Sequence, residues 1–344
     1  MAKRTRVFCI PEQRPNKTAA TFAQRGVKSL AGAALAAAGG WILYSNLFID
    51  HHVVLPDALP AERKAFNSRS AGRLSYYHNR FENGRPLVLI HSVNAAASAY
   101  EMRPLFLHYR DKRPVYALEL PGFGFSERAN RIYSPSLFEA SVLEFLSQEV
   151  GEPADVVALS LGSEFAARAA LVQPELFASL VVISPTGFSM DDPAQRSQSA
   201  SRSGTSDIIH PIFSFPLWAR PFYDTISSRS SIEYFLKKSF LGPVPQDLID
   251  YAYATSHQPG AEHVPLYFIS GKLFTPDIRT SVYDHLQVPT LALYDRDNFT
   301  SFKLLPETLA GNTYWQAVRL VPTLGMPHFE RPEDTIEVLD SFWK

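Results

Sequence analysis

The chain of 344 residues has one cysteine, Cys9. A single thiol excludes an intrachain disulfide framework and a thiolate metal cluster. An excess of charge is also missing, since 33 Lys and Arg stand against 34 Asp and Glu. No basic run or basic face marks the body of the chain as a nucleic-acid binder. A Gly-rich phosphate loop, a dinucleotide fingerprint and a spaced metal-binding pair are all absent, so no cofactor and no metal are expected. His51 and His52 lie near Asp57, but that grouping fits an interfacial patch better than a metal site. Internal repeats are lacking too. What is plentiful is apolar content, 46% of the residues, which suffices for a large core in one α/β domain or two smaller ones.

The N-terminus differs from the rest. Residues 1–28 hold Lys3, Arg4, Arg6, Arg14, Lys17, Arg25 and Lys28 against Glu12 alone. The stretch "SLAGAALAAAGGWILYSNLFI", 29–49, then runs without a charge. As a helix rising about 1.5 Å per residue it would extend roughly 30 Å, the thickness of a bilayer core. Trp41 and Tyr44 suit one interface, and the basic arm would stay cytoplasmic. The expectation is a retained single-pass anchor. The alternatives are a cleaved signal or transit segment, for which "AAAGG" offers a small-residue site, and a soluble helix.

Residues 50–72, with prolines and mixed charge, read as a linker or a surface layer. From 73 to 344, apolar runs alternate with helix-length stretches. "RLSYYHNR" (73–80), "PLVLI" (86–90), "PVYALEL" (114–120), "DVVAL" (155–159), "LVVIS" (180–184), "TLALY" (290–294) and "YWQAVRLV" (314–321) read as strands. "LFEASVLEFLSQEV" (137–150) and "GSEFAARAALVQ" (162–173) read as helices. Runs apolar on both faces, set between amphipathic helices, predict a mostly parallel sheet covered on both sides. The alternation breaks over about 186–285, where helix-like stretches such as "SIEYFLKKSF" and "QDLIDYAYATS" predict an inserted lid. Its aromatics would either line an apolar pocket or hold the lid on the sheet.

Ser160 stands in "ALSLG", with Ala158 and Gly162 two positions to either side. A sharp strand-to-helix turn that exposes an apex side chain needs small residues there, because the two backbones crowd. Alone, such a serine is equally well a helix N-cap. Two further groups favour a nucleophile. Asp295 and Asp297 follow the "TLALY" strand, and His328 follows the last strand. The chain order Ser, Asp, His then places a nucleophile, a base and an orienting acid on loops at one sheet edge. Asp191 or Asp192, after the preceding strand, is a less favoured source of the acid.

These motifs resemble the α/β-hydrolase superfamily, in particular its lidded esterase and lipase-like members, from about 73 to 344. "LVLIHSVN" is similar to the family's strand followed by His-Gly, and "LELPGFGFSERA" to its Asp-x-Pro-Gly-x-Gly-x-Ser turn. "ALSLGSEFA" resembles the nucleophile elbow, "VPTLALYDRDNF" the acid loop and "PHFERPEDTIEVLDSF" the histidine loop. The resemblance implies Ser160 as nucleophile, His328 as general base and then acid, and Asp297 as the orienting carboxylate with Asp295 as its rival. The backbone N–H groups of Leu161 and Val93 would form the oxyanion hole. Ala158 replaces the first elbow glycine, Ser92 the glycine after His91, and Glu119 the aspartate before the Pro-Gly turn. The expected activity is hydrolysis of carboxylic esters of small, possibly lipid, molecules at a membrane. Acyl transfer or C–C bond hydrolysis on the same site, and a catalytically silent binding fold, are the alternatives.

Overall fold

The computed structural model describes residues 36–189 and 205–344. It divides at Ile49/Asp50 into two units. In the first, residues 36–48 are helical. Among the described residues no helix is long and apolar enough to cross a membrane. The expected anchor begins at residue 29, outside the described residues, as do Asp191 and Asp192.

The second unit is built on an eight-stranded sheet: β1 (Glu62–Ser68), β2 (Gly72–His78), β3 (Leu87–Ile90), β4 (Val115–Leu118), β5 (Ala154–Leu159), β6 (Phe177–Ile183), β7 (Thr290–Arg296) and β8 (Trp315–Leu324). The spatial order is β1-β2-β4-β3-β5-β6-β7-β8. The β1–β2 and β2–β4 pairs are antiparallel and all others parallel. One expectation needs correction. Residues 62–68 were read within the linker 50–72, yet they form β1, paired from Glu62↔His78 to Ser68↔Gly72. This edge strand exposes Arg63, Lys64 and Ala65 and buries only Phe66 and Ser68, so it carries no apolar run to betray it. Charged side chains on an edge strand also discourage pairing with another chain.

The central strands are buried on both faces because successive side chains alternate between two cores. Val88, Ile90, Val156, Ala158, Leu180 and Val182 join one core. Leu87, Leu89, Val157, Leu159, Val181 and Ile183 join the other. Helices α1 (Arg103–Tyr109), α2 (Pro135–Phe145) and α3 (Gly162–Val172) follow β3, β4 and β5 in turn. Between β6 and β7 the chain inserts α4 (Thr205–Phe213), α5 (Ala219–Ile226), α6 (Arg229–Lys237), α7 (Gln246–Ser256) and α8 (His263–Ile269). Helices α9 (Leu305–Gly311) and α10 (Pro332–Phe342) flank β8. The first core packs α2 and α3 through Phe138, Val142, Phe145 and Phe165. The second packs α1, α7 and α10 through Phe106, Leu248 and Leu339.

One aromatic of the insertion ties it to the loop after β3, and others stand at its surface. Tyr223 on α5 is buried and its hydroxyl donates to the Ala95 carbonyl at 2.6 Å. Phe215, Leu217 and Trp218, at the corner between α4 and α5, are 48%, 58% and 37% exposed.

Candidate active site

Strand β3 has β4 on one side and β5 on the other. The chains leaving β3 and β5 therefore diverge at the strands' carboxyl ends, the place where open α/β sheets build their sites. Ser160 leaves β5 there with φ of +51°, in the left-handed region that costs a non-glycine residue free energy. Its N–H donates to the Ile183 carbonyl at 2.9 Å, which holds the turn against β6. A Cβ at position 162 would lie 2.3 Å from the His91 carbonyl oxygen, so only glycine lets α3 start this close to the loop after β3. The crowding inferred from "ALSLG" is thus real. Ser160 is partly exposed at the apex.

The loop after β3 carries Val93. His91 is fully buried, and its Nε2 accepts from the Leu120 N–H at 3.0 Å. Nδ1 must therefore hold the proton, and it donates to the Ser92 carbonyl at 2.6 Å. Burial keeps the imidazole neutral, with its pKa pushed down to about 4 although the bond to the Ser92 carbonyl raises it. In a trans peptide the C=O and the following N–H point in opposite directions. Fixing the Ser92 carbonyl on His91 thus turns the Val93 N–H away from it. Neither the Val93 nor the Leu161 amide meets an acceptor among the described residues. Ser92 sits in the glycine position without a positive φ. Its N–H donates to Glu101 Oε2 at 2.9 Å, and its Oγ accepts from Asn94 Nδ2 at 2.8 Å. Glu101 and Asn94 were not singled out by sequence reasoning. The one signal was an acid between Tyr100 and Met102 in "SAYEMRPLF".

His328 lies in the short helical turn Pro327–Glu330 after β8 and is fully buried. Nε2 donates to the Glu101 backbone carbonyl at 2.7 Å, and Nδ1 has no partner. Burial lowers its pKa to about 4. The two aspartates part company. Asp295, at the end of β7, is buried with both oxygens engaged, by Arg319 Nε at 2.8 Å and Thr323 N–H at 2.9 Å. It clamps β7 to β8. Asp297 Oδ1 accepts from Phe299 N–H at 2.6 Å and Thr300 N–H at 3.3 Å. Its Oδ2 accepts no hydrogen bond among the described residues, and it faces Gly325 across a gap where a Cβ would stand 3.2 Å away. Burial raises the Asp297 pKa to about 6 against two backbone donors that lower it. Ser160, Asp297 and His328 thus follow β5, β7 and β8 at one sheet edge. No hydrogen bond joins them directly among the described residues.

Cavity size does not locate this site. A surface cleft of about 320 Å³ lies at the edge strands, between Pro60, Glu62, His78, Arg80 and Arg110, and has no candidate nucleophile in its wall. Beside the loop after β3, Ala95, Ala97, Gly122, Phe123 and Tyr223 enclose about 10 Å³, room for one water. Among the described residues no group of three His, Cys, Asp or Glu side chains is placed to hold a metal ion.

The profile described as "Alpha/beta hydrolase family" matches residues 87–338. The chain belongs to this family. It is 32% identical over 118 residues to the uncharacterized hydrolase YugF of Bacillus subtilis, covering 33% of this chain and 42% of that protein. It is 30% identical over 98 residues to a probable alcohol acetyltransferase of Cyberlindnera fabianii, covering 28% of this chain and 26% of that one. The chain therefore spans less than half the length of these curated relatives. A bacterial membrane phospholipase A shares the fold, with a TM-score of 0.62 at 17% identity over 95% of this alpha/beta hydrolase and 98% of that structure. Within the family's pattern, Gly122 and Gly124 of the Pro-Gly-Phe-Gly turn keep their reason. Both have positive φ, and a Cβ at Gly124 would overlap the Glu119 carboxylate. Glu119 fills the place of the family's aspartate and accepts the Phe125 N–H at 2.5 Å.

Proposed function

We propose that the protein is a serine hydrolase of carboxylic esters. The observation that carries this reading is the placement of Ser160 at φ +51° on the turn between β5 and α3. Its Oγ attacks the ester carbonyl carbon while His328 takes the hydroxyl proton. The oxyanion of the tetrahedral intermediate is held by the Leu161 and Val93 N–H groups, donors worth about 3–4 kcal/mol each when preorganised. Collapse breaks the C–O bond to the alcohol, which leaves with the proton from His328. Water, deprotonated by His328, then attacks the acyl-enzyme and releases the acid and Ser160. Asp297 orients the imidazole and stabilises its charged form. Its free Oδ2 and the unpartnered Nδ1 of His328 support it over Asp295, whose oxygens are both engaged.

The helices between β6 and β7 act as the lid in this reading. A lipophilic substrate is favoured by the exposed Phe215, Leu217 and Trp218 and by a single-pass anchor over 29–49 with a cytoplasmic N-terminus. Resistance of the full chain to extraction from membranes at alkaline pH tests the anchor, and release would remove it from the proposal. Acyl transfer to an alcohol is the second reading, supported by the similarity to an alcohol acetyltransferase. Product analysis with added alcohol separates it from hydrolysis.

The deciding experiment is labelling by a fluorophosphonate probe with Ser160→Ala and His328→Ala beside the wild type. Labelling abolished by both substitutions is the expected result. A folded protein that fails to label would leave Ser160 a turn residue and the fold a binding module.

A further inference from the structure

Glu101 occupies the helical turn Ala99–Met102 that leads into α1, and it is only 5% exposed. A buried carboxylate is costly unless a cation or several donors satisfy it. No cation lies within ion-pair distance of Glu101 among the described residues. Instead its oxygens take their donors from the loop after β3. Oε2 accepts the Ser92 N–H and Oε1 accepts Asn94 Nδ2, both at 2.9 Å. Asn94 is itself tied down, since its Oδ1 accepts the Ala96 N–H at 2.7 Å and its Nδ2 also donates to Ser92 Oγ. Val93 sits between the two clamped residues. The same residue's main-chain carbonyl accepts His328 Nε2 at 2.7 Å.

One residue therefore grips the proposed oxyanion loop with its side chain and the proposed general base with its backbone. From this juxtaposition we infer that Glu101 is the positioning residue of the active site. Its side chain fixes the loop that bears the Val93 N–H, its carbonyl holds the His328 ring in its resting position beside that loop, and with Asn94 it takes over the role that glycine geometry would serve at position 92. Glu101 touches no substrate atom. It acts through Val93 and His328. The inference rests on the hydrolase reading.

The side-chain half is testable by isosteric change. In Glu101→Gln the shape is kept, but one terminal oxygen becomes an NH2 group. That group must face either the Ser92 N–H or the Asn94 amide, so one clamp becomes a donor–donor contact. Asn94→Ala removes the other clamp with less risk to folding, because Asn94 is only half-buried. With full-length protein and a short-chain p-nitrophenyl ester, kcat is expected to fall about 10- to 100-fold in Glu101→Gln, and less in Asn94→Ala. KM should stay within about threefold, and the double variant should lose no more than Glu101→Gln, as for one shared network. Circular dichroism gives the folded fraction, so that kcat is expressed per folded molecule.

If both variants keep kcat per folded molecule within about twofold of wild type, while wild type labels with the fluorophosphonate, Glu101 is a packing residue and the inference falls alone. If wild type itself does not label, the hydrolase reading fails and takes the inference with it. A drop in KM-dependent binding at constant kcat also overturns it, because misplaced transition-state donors act on kcat.

Discussion

His328 and Glu101, 227 positions apart in the chain, are joined by a 2.7 Å hydrogen bond from the imidazole Nε2 to the main-chain carbonyl. A carbonyl only accepts, so Nε2 carries the proton and Nδ1 presents a buried lone pair with no donor. A base that receives the Ser160 proton needs the reverse, a lone pair on Nε2 and a proton on Nδ1. Rotation of the ring by about half a turn about Cβ–Cγ puts Cε1–H on the Glu101 carbonyl, and transfer of the Nε2 proton through solvent to Nδ1 then leaves the lone pair on Nε2. Binding of substrate or probe is the step expected to bring this about, since catalytic hydrogen bonds often tighten only in the complex.

In the proposed mechanism Asp297 receives Nδ1–H, and experiment separates it from Asp295. Asp297→Asn should lower kcat by about 10³- to 10⁴-fold through the wrong tautomer, with little change in stability. Asp295→Asn should instead lower stability by about 1–3 kcal/mol, because Thr323 N–H and Arg319 lose a charged acceptor. Activity assays paired with urea unfolding check both. The reverse pattern would make Asp295 the acid.

The pH dependence of labelling follows from the same carboxylate. Burial holds the Asp297 pKa up at about 6, and only its ionised form can orient an imidazolium. Burial pushes His328 down to about 4, so protonation of the base comes later on acidification. The fluorophosphonate labelling rate should thus hold above pH 6 and fall as pH drops through about 6. In Asp297→Asn the residual rate should lose that step. A step near 6 that survives the substitution belongs to another group.

Glu119 links pH to stability rather than to chemistry. Its carboxyl is fully buried, and burial raises its pKa from 4.5 to about 7 despite the Phe125 N–H and Arg128. The folded state therefore favours the protonated form. The contribution is fully present below about pH 4.5 and is lost as pH rises through 7, a swing of about 3 kcal/mol. Glu119→Gln abolishes this titration. Measured by urea unfolding at pH 5 and pH 8, the variant should gain relative to wild type by about that amount at the higher pH. An unchanged difference would show that Glu119 does not titrate in this range.

What could be read from the sequence follows from where the physical cause lies. The elbow around Ser160 was legible because backbone crowding acts within five residues and leaves Ala158 and Gly162 as its trace. The apolar strands β3, β5, β6 and β7 were legible because two cores demand apolar residues on both faces of the sheet. Strand β1 was not, since an edge strand buries little and its register with β2 is set by pairing. The Glu101 clamp was hidden because its partners come from the loop after β3 and, 227 positions on, from the turn after β8. The pairing of Asp295 with Arg319 comes from the next strand, and spacing cannot supply it.

The two small residues of the elbow are not equivalent, and this gives the last prediction. Gly162 meets main chain: its missing Cβ would stand 2.3 Å from the His91 carbonyl oxygen, and no flexible side chain is there to move aside. Gly162→Ala must push α3 or the start of the loop bearing Val93, at about 1–3 kcal/mol of overpacking. Labelling of Ser160 should fall with it, because displacement of that loop takes the oxyanion donors along. Ala158 lies inside β5, fully buried in the first core. Ala158→Gly restores the residue usual in the family and should cost only about 0.5–1 kcal/mol in strand entropy, with labelling retained. Thermal unfolding and labelling of the two variants side by side test the contrast. Equal tolerance of both would mean that the His91–Gly162 approach does not set the position of the oxyanion loop.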